Sequence, residues 1–512
     1  MACFSIGLDT ALPAELLQCT KCNRTYSISQ PCVLCKTCGG TLAVKYNYES
    51  IDPSALRNES RPPGVWGFWE LLPLNDKANI VSLGEGNTFL HECGRLAEQT
   101  GLRKLFAKDE STNPTGAFID RGTTVAVSKA KEFGYHSVHC RTKGNLGASL
   151  AAYSAKAGFT CKVLVPGKVD LGKFYQMVAY GVHIELSRRR AEDEYEEAAS
   201  LPEGDHVKSY PVTSNDPFLL EGEKTTGYEI CQQLGWSSPD WVVVPMGSGS
   251  HLAMIWKGIK ELESIGIIDG RRVKIAGVQA EGCAPIVEAF ARGTDRIRPA
   301  KATRTIAVDM AVRNPRHGYL ALQALRESKG IGVTVSDPEI IEAMKTLAKA
   351  EGIFAEPAAA STIAGIKLLV DSGRVDRTES VVCVVTGMGL KDPSSARKLV
   401  GRTQHAKKTA QKIEGLSVID RMGKTKLRIL QTLGGRELHG YGVWRALERL
   451  NIELDISSVY QHLVELEASE LIRKTKMQSI GGRPERRYYR LTAKGEDILR
   501  SPLMRAVGKS FS

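Results

Sequence analysis

Two Cys-x2-Cys pairs near the start of the chain have the spacing of a metal site. Cys19-Thr-Lys-Cys22 is followed, 12 residues on, by Cys35-Lys-Thr-Cys38-Gly39-Gly40. Two such knuckles can bring four thiolates tetrahedrally around one Zn²⁺, and four thiolates leave no open position for chemistry, so a structural zinc ribbon is expected. Cys32 makes an overlapping Cys-x2-Cys with Cys35. Cys38 is preferred as the fourth ligand because Gly39 and Gly40 let the backbone turn its N–H groups toward sulfur. A second chemical pattern is Pro245-Met-Gly247-Ser248-Gly249-Ser250-His251, small residues after an apolar run and before a helical pattern. Backbone N–H groups at such a helix start face an anion, aided by the helix dipole. Without context the same pattern is an ordinary strand–helix turn.

The elements that position these residues follow from periodicity. Lys162–Val165, Trp241–Val244, Lys274–Val278 and Ser380–Val385 are short β-branched runs. Each precedes Gly or Pro and a longer amphipathic stretch such as Ala148–Ala157 or Leu252–Leu262. This alternation predicts buried, mainly parallel strands with helical crossovers, and ligands then bind outside the carboxyl ends of the strands. The composition, 42% hydrophobic and 25% charged in 512 residues, is that of a globular protein of several structural units. No apolar run reaches the ~20 residues a membrane span needs, and Met1–Gly7 lacks a signal-peptide pattern. A cytoplasmic location is expected. Cys93, Cys140, Cys161, Cys231, Cys283 and Cys383 are scattered in apolar surroundings and are read as packing residues.

Charge is concentrated at one end. Of the net +12, residues 401–512 contribute a surplus of ten, with 22 Lys and Arg against 12 Asp and Glu. A basic block of this kind fits a nucleic-acid contact, or more simply a solubilising tail. Within it, Lys426–Leu433, Gly440–Leu447 and Ser457–Leu466 have helical spacing, with Ser457 as the expected N-cap. Leu471–Lys476, the turn Gly481–Arg487 and Tyr488–Leu491 predict a β-hairpin.

Nine segments between Gly84 and Pro393 resemble the pyridoxal phosphate (PLP)-dependent fold-type II family, threonine synthase most closely. They are Gly84–Thr88, Lys108–Glu110, Asn113–Gly122, Lys143–Ser149, Glu221–Thr225, Pro245–His251, Gly277–Ile286, Glu351–Pro357 and Thr386–Pro393, in the family's order. The resemblance implies an α/β, two-lobed parallel-sheet domain of the tryptophan synthase beta-like type. It further implies that Gly247, Ser248, Gly249, Ser250 and His251 hold the PLP phosphate. Asn145 then faces the ring hydroxyl, and Thr386 bonds the pyridine nitrogen. Their plainer roles would be a helix cap and a strand end.

Two departures cut against catalysis. Within Asn113-Pro-Thr115-Gly-Ala-Phe118-Ile119-Asp-Arg-Gly122, the family residue between Phe and Asp is the Schiff-base lysine, and here it is Ile119. Isoleucine supplies neither a covalent anchor nor an acid–base group. Lys143 replaces a small hydroxyl residue in the loop that receives the substrate carboxylate. Lys143 and Thr115 are ligand-binding candidates; a surface salt bridge, or a relocated Schiff-base role, are the alternatives for Lys143. Ser250 and His251 also depart from the family's Gly and small polar residue.

The segments "Leu-His-Gly-Tyr-Gly", "Ser-Val-Tyr-Gln-His-Leu" and "Gly-Arg-Pro…Tyr-Tyr-Arg-Leu-Thr" resemble PadR-type winged-helix regulators. That resemblance implies a third helix in the DNA major groove and a wing on the backbone or minor groove. Ser458, Tyr460, Gln461 and His462 are the base-edge or sugar candidates, with Tyr460 also a core candidate. Lys474, Lys476, Arg483, Arg486 and Arg487 are the phosphate candidates.

The expected organisation is a zinc ribbon over 1–46, the threonine-synthase-like domain over 47–400, a basic linker over 401–420 and the winged helix over 421–512. The expected function is a DNA-binding regulator, acting as a homodimer, whose degenerate PLP-type domain senses a small anionic metabolite. PLP itself would be held without the usual covalent bond. A working threonine synthase or related lyase, and a pseudoenzyme scaffold for a partner protein, are the alternatives.

Overall fold

The computed structural model describes residues 13–58, 60–142, 144–166, 170–187, 208–269, 273–400, 425–450, 452, 454–478 and 486–500. The chain divides into two compact units, Met1–Leu399 and Val400–Ser512.

The first unit is built on two parallel sheets. A six-stranded sheet has the order β12 (Ile331–Val335), β11 (Lys274–Ala280), β10 (Trp241–Pro245), β13 (Ser380–Val385), β5 (Lys104–Asp109) and β4 (Phe89–Glu92), with β4 alone antiparallel. A four-stranded sheet has the order β8 (His183–Ser187), β7 (Thr160–Pro166), β6 (Ser137–Arg141) and β9 (Tyr210–Pro211). The β-branched runs become strands because both sheet faces are covered. Trp241, Val243, Val381 and Cys383 enter one apolar cluster, while Val242, Val244, Val382 and Val384 enter another on the opposite face. Alternate residues point to opposite faces, so a strand apolar at every position needs two cores. The six scattered cysteines are buried and free, as expected of packing residues. At the start of the chain β1 (Ala14–Cys19) pairs with β2 (Thr25–Ser27) and β3 (Leu42–Tyr46). This small sheet shares an apolar cluster with Val125 and Phe218 of the main body.

Helices α1 (Asp120–Glu132), α2 (Asn145–Ala157) and α3 (Leu171–Ala179) belong to the four-stranded lobe. Helix α4 (Pro217–Glu223) packs on α1, and α5 (Ser250–Ser264) adjoins the six-stranded sheet. Arg121 is a fully buried strut beneath them. It reaches Glu110 at 2.6 Å and Glu229 at 2.6 and 2.7 Å, and Lys108 meets Glu229 at 2.8 Å.

The second unit has a helix over 425–433, then α6 (Gly440–Glu448), α7 (Ile456–Ala468) and an antiparallel hairpin of β15 (Ile472–Gln478) and β16 (Arg486–Leu491). The short strand β14 (Leu438–His439) pairs with β16. Leu430, Val443, Val459, Leu463, Leu466, Tyr489 and Leu491 fill its core. One expectation is corrected here. The N-cap of α7 is Asp455, not Ser457, because the Asp455 carboxylate accepts from Ser458 N–H at 2.8 Å and from both serine hydroxyls. The predicted linker 401–420 lies outside the described residues.

Candidate functional site

The cleft is assembled from strand ends and helix starts. β10 ends at Pro245, and Gly247–Gly249 then lead into α5. Gly249 has φ +91, and a Cβ there would lie 2.9 Å from the Ala321 Cβ and 3.1 Å from the His317 carbonyl. Only glycine fits that left-handed, crowded position. The first N–H groups of the 15-residue α5 have no intrahelical partner, and that of Ser250 donates to the Ser248 hydroxyl at 3.4 Å. The Ser248 hydroxyl donates to the Ser250 hydroxyl at 3.2 Å. His251 is buried. Its Nε2 meets the Thr226 hydroxyl at 3.1 Å, and burial pushes its pKa down to about 3, so the ring is neutral.

The loop that carries position 119 is tied to the end of β13: Phe118 N–H donates to the Thr386 carbonyl at 3.0 Å. Ile119 is the N-cap of α1 and packs against the apolar cluster of the four-stranded lobe. Thr115 is buried, with its N–H and hydroxyl donating to Asp120 at 2.6 and 2.7 Å. Asn145 is the first residue of α2; Gly144 is the N-cap, so Asn145 is free of the capping role. Its amide lies 3.5 Å from both Glu356 oxygens, and its buried Oδ1 has no partner among the described residues. Glu356 also stands against Gly387, and Asp309 stands between Gly144 and Gly247. Asn145, Thr386 and the Gly247 loop are therefore neighbours, joined through Glu356 and Asp309. Lys143 lies outside the described residues.

Two lysines escaped the sequence reading. Lys173 on α3 is buried and reaches Asp309 at 2.5 Å and Asp170 at 3.5 Å. Lys391 donates to the Thr115 carbonyl at 2.6 Å and to Gln176 Oε1 at 2.8 Å. Burial holds the Lys391 amine down to about 8 and pushes Glu356 up to about 8. The available signal was a lysine inside the mainly apolar helix Leu171–Ala179. Its partner is 136 residues away, beyond any local pattern. A cavity of about 390 Å³ lies apart from this cleft, between β3 and α5. Among the charged residues that line it, Lys257 pairs with Glu221 and Glu261, and Lys260 with Glu327.

The pocket supports two parts of a pyridoxal phosphate and not the third. A backbone anion loop and an unpartnered, buried amide oxygen suit a phosphate and a polar ring edge. No amine stands at position 119, so an imine there does not fit.

In the N-terminal sheet the four predicted sulfurs come together. Cys19 and Cys38 are 3.5 Å apart, Cys38 and Cys22 3.5 Å, and Cys22 and Cys35 3.6 Å. A tetrahedron with ~2.3 Å Zn–S bonds has S–S edges of roughly 3.8 Å, close to this spacing. The Tyr26 hydroxyl and nearby N–H groups bring the Cys35 thiol down to about 5. Cys32 is apart from the cluster, its thiol turned to the Leu34 carbonyl.

In the second unit, Tyr460 and Gln461 are exposed on α7. The Tyr460 ring also covers Gly440, where a Cβ would come within 2.3 Å of it. Ser458 is engaged by Asp455, and His462 lies 3.4 Å from Glu465. Lys474 pairs with Glu467 at 2.7 Å, and Arg487 is exposed. Arg483 lies outside the described residues, and only the backbones of Lys476 and Arg486 are described.

Comparison with known proteins matches this geometry. Residues 81–387 match the pyridoxal-phosphate dependent enzyme family, and residues 429–501 match the PadR-like transcriptional regulator family. The threonine synthase of Methanocaldococcus jannaschii is 45% identical over 384 residues, 74% of this chain and 94% of that protein. That of Methanosarcina acetivorans is 42% identical over 380 residues, 74% of this chain and 93% of that protein. A fungal L-serine ammonia-lyase from Rhizomucor miehei shares the fold, with a TM-score of 0.53 at 17% identity, covering 62% of this chain and 98% of that one. The chain belongs to the pyridoxal-phosphate dependent enzyme family, with threonine synthases as relatives, and carries a PadR-like domain after it.

Proposed function

We propose that this protein is a cytoplasmic DNA-binding transcriptional regulator whose threonine-synthase-like domain senses a small anionic metabolite. The observation that carries this reading is Ile119 at the head of α1, where the family places its reactive amine, in one chain with a PadR-like domain. An amino acid, a phosphorylated amino acid, or pyridoxal phosphate held by hydrogen bonds alone suits the cleft. Gly247, Ser248, Gly249, Ser250 and His251 would take the anion, Asn145 and Thr386 the polar ring edges, and Thr115 and Lys143 a carboxylate. Pyridoxal phosphate, when bound, supplies an electron sink for an attached amino acid; these residues bind and orient it but offer no amine at position 119.

Zn²⁺ on Cys19, Cys22, Cys35 and Cys38 would clamp the N-terminal sheet. In the second unit, Ser458, Tyr460, Gln461 and His462 would face bases or sugars, and Lys474, Lys476, Arg483, Arg486 and Arg487 the phosphates. Readers of this kind meet two-fold DNA sites as homodimers. The ligand must favour one dimer arrangement to change DNA affinity.

A second reading, a PLP-dependent threonine synthase or related lyase, is favoured by 45% identity across 94% of such an enzyme. One sample decides. The regulator reading expects no visible imine band that hydroxylamine or borohydride removes, together with specific shifts of genomic DNA fragments that change when ligand is added. A trapped lysyl–pyridoxyl adduct with turnover would overturn it.

A further inference from the structure

Behind the anion loop stands a buried carboxyl group. Ser248 donates to Ser250, and Glu223, the last residue of α4, lies beside Ser250, one turn before Thr226, whose hydroxyl meets His251 at 3.1 Å. Glu223 is 1% exposed, and its Oε2 has no hydrogen-bond partner. A buried carboxylate with an unused oxygen, one hydroxyl away from a loop built for anions, conflicts with that loop: both want the same sign of countercharge.

Neighbouring groups do not relieve the conflict. On α1, packed against α4, Arg121 is committed to Glu110 and Glu229, and Asp120 to Thr115 and Ser149. On α5, His251 is neutral, and Lys257 and Glu261 belong to the group around Glu221 and Lys224. Tyr46 of β3 donates to Glu221, and Glu229 of the helix after α4 pairs with Lys108. Burial and the Ser250 hydroxyl are what set the protonation of Glu223, and burial pushes it up to about 8.

We propose that the Gly247–Ser250 loop binds a phosphate-class anion with coupled uptake of one solvent proton by Glu223. The protonated carboxyl removes the like charge. It leaves an O–H behind the loop that can donate toward Ser250 and the anion. This rests on the reading of the loop as the sensor's anion site and adds that the site reports ligand and acidity together. The sign follows from linkage: a proton taken up on binding makes affinity fall as pH rises, by at most about tenfold per pH unit for one proton.

The test titrates pyridoxal phosphate into the full chain by calorimetry at about pH 7, 8 and 9, in buffers of different ionisation enthalpy. The ligand's own titration is common to both proteins and cancels between wild type and Glu223→Gln. The wild type should lose affinity toward tenfold between about pH 8 and 9 and, near pH 9, take up close to one proton more per site than E223Q, whose affinity stays flatter. Infrared difference spectra of the wild type alone provide a check that needs no variant: ligand addition near pH 9 should raise a protonated-carboxyl C=O band. Binding with equal proton uptake in both proteins and no such band overturns the proton coupling but keeps the anion site. No binding by the wild type at any pH overturns both.

Discussion

The Phe118 ring lies flat on the His251 imidazole, centroids 4.0 Å apart and planes 12° from parallel. The stack ties the residue before Ile119 to the helix that forms the anion loop, using a neutral imidazole as its platform. A ring pair of this kind is worth about 1 kcal/mol beyond its buried area. Position 119 is thus fixed between the end of β13 and the start of α5, and its side chain there is apolar.

Ile119→Lys should therefore restore attachment without rebuilding the cleft. Ile119 is half-buried, and its replacement should cost about 1 kcal/mol of stability. With pyridoxal phosphate, I119K should show a visible band that borohydride bleaches, and mass spectrometry should place the adduct on residue 119. An equal band in the unaltered protein would show that another lysine already does this work.

How far could the sequence be read? Strands β7, β10, β11 and β13 were legible because their apolar runs end at Gly, Pro or a turn and nothing else satisfies such runs but a doubly covered parallel sheet. The convergence of Asn145, Thr386 and Gly247 followed, since ligands gather at strand carboxyl ends. The Lys173–Asp309 pair was not legible, because its partners come from separate lobes, 136 residues apart, and no local pattern links them. The Glu223–Ser250 contact was hidden for the same reason. At α7 the start was misplaced by two residues because Asp455, Ser457 and Ser458 are all competent caps and only tertiary geometry chose Asp455.

The Arg121 strut should be costly to break. Glu229→Gln leaves Arg121 and Lys108 buried with one carboxylate fewer. Removing one partner of a buried ion network costs about 3–5 kcal/mol. Urea unfolding followed by tryptophan fluorescence should show the first unit's midpoint falling accordingly. A shift of a few tenths of a kcal/mol would mean that water reaches the network.

Asp216 should give the first unit a stability that declines with pH. Burial raises its carboxyl to about 7, against an unfolded value of about 3.9. The folded state then holds the extra proton between those values. The contribution is whole below about pH 4 and is lost as pH rises through about 7, at most about 1.4 kcal/mol per pH unit. Asp216→Asn keeps the Phe218 N–H cap and should flatten stability between about pH 5 and 7. An unchanged slope would assign the decline to other carboxyls.

Zinc should depend on Cys38 and not on Cys32. Metal analysis should find about one zinc per chain, lost in Cys38→Ser and kept in Cys32→Ser, whose thiol faces the Leu34 carbonyl. Because β1 and β3 pack on Phe218 and Val125, chelation should lower the melting temperature of the first unit. Equal zinc loss in both variants would reopen the ligand set.

The wing should compete with the protein's own acids for its basic side chains. Lys474 is paired with Glu467 at 2.7 Å, whereas Arg487 is exposed. Each phosphate contact adds about 0.9 to the slope of log affinity against log salt. Arg487→Ala should lower that slope by about one unit and weaken binding to all sequences alike. Glu467→Gln frees Lys474 and should tighten binding at low salt, with a steeper salt dependence. Gly440→Ala tests the other face: its Cβ would strike the Tyr460 ring, so specific binding should weaken more than non-specific binding. Fluorescence anisotropy over a salt series measures all three, and an E467Q affinity equal to wild type would remove Lys474 from the DNA contact.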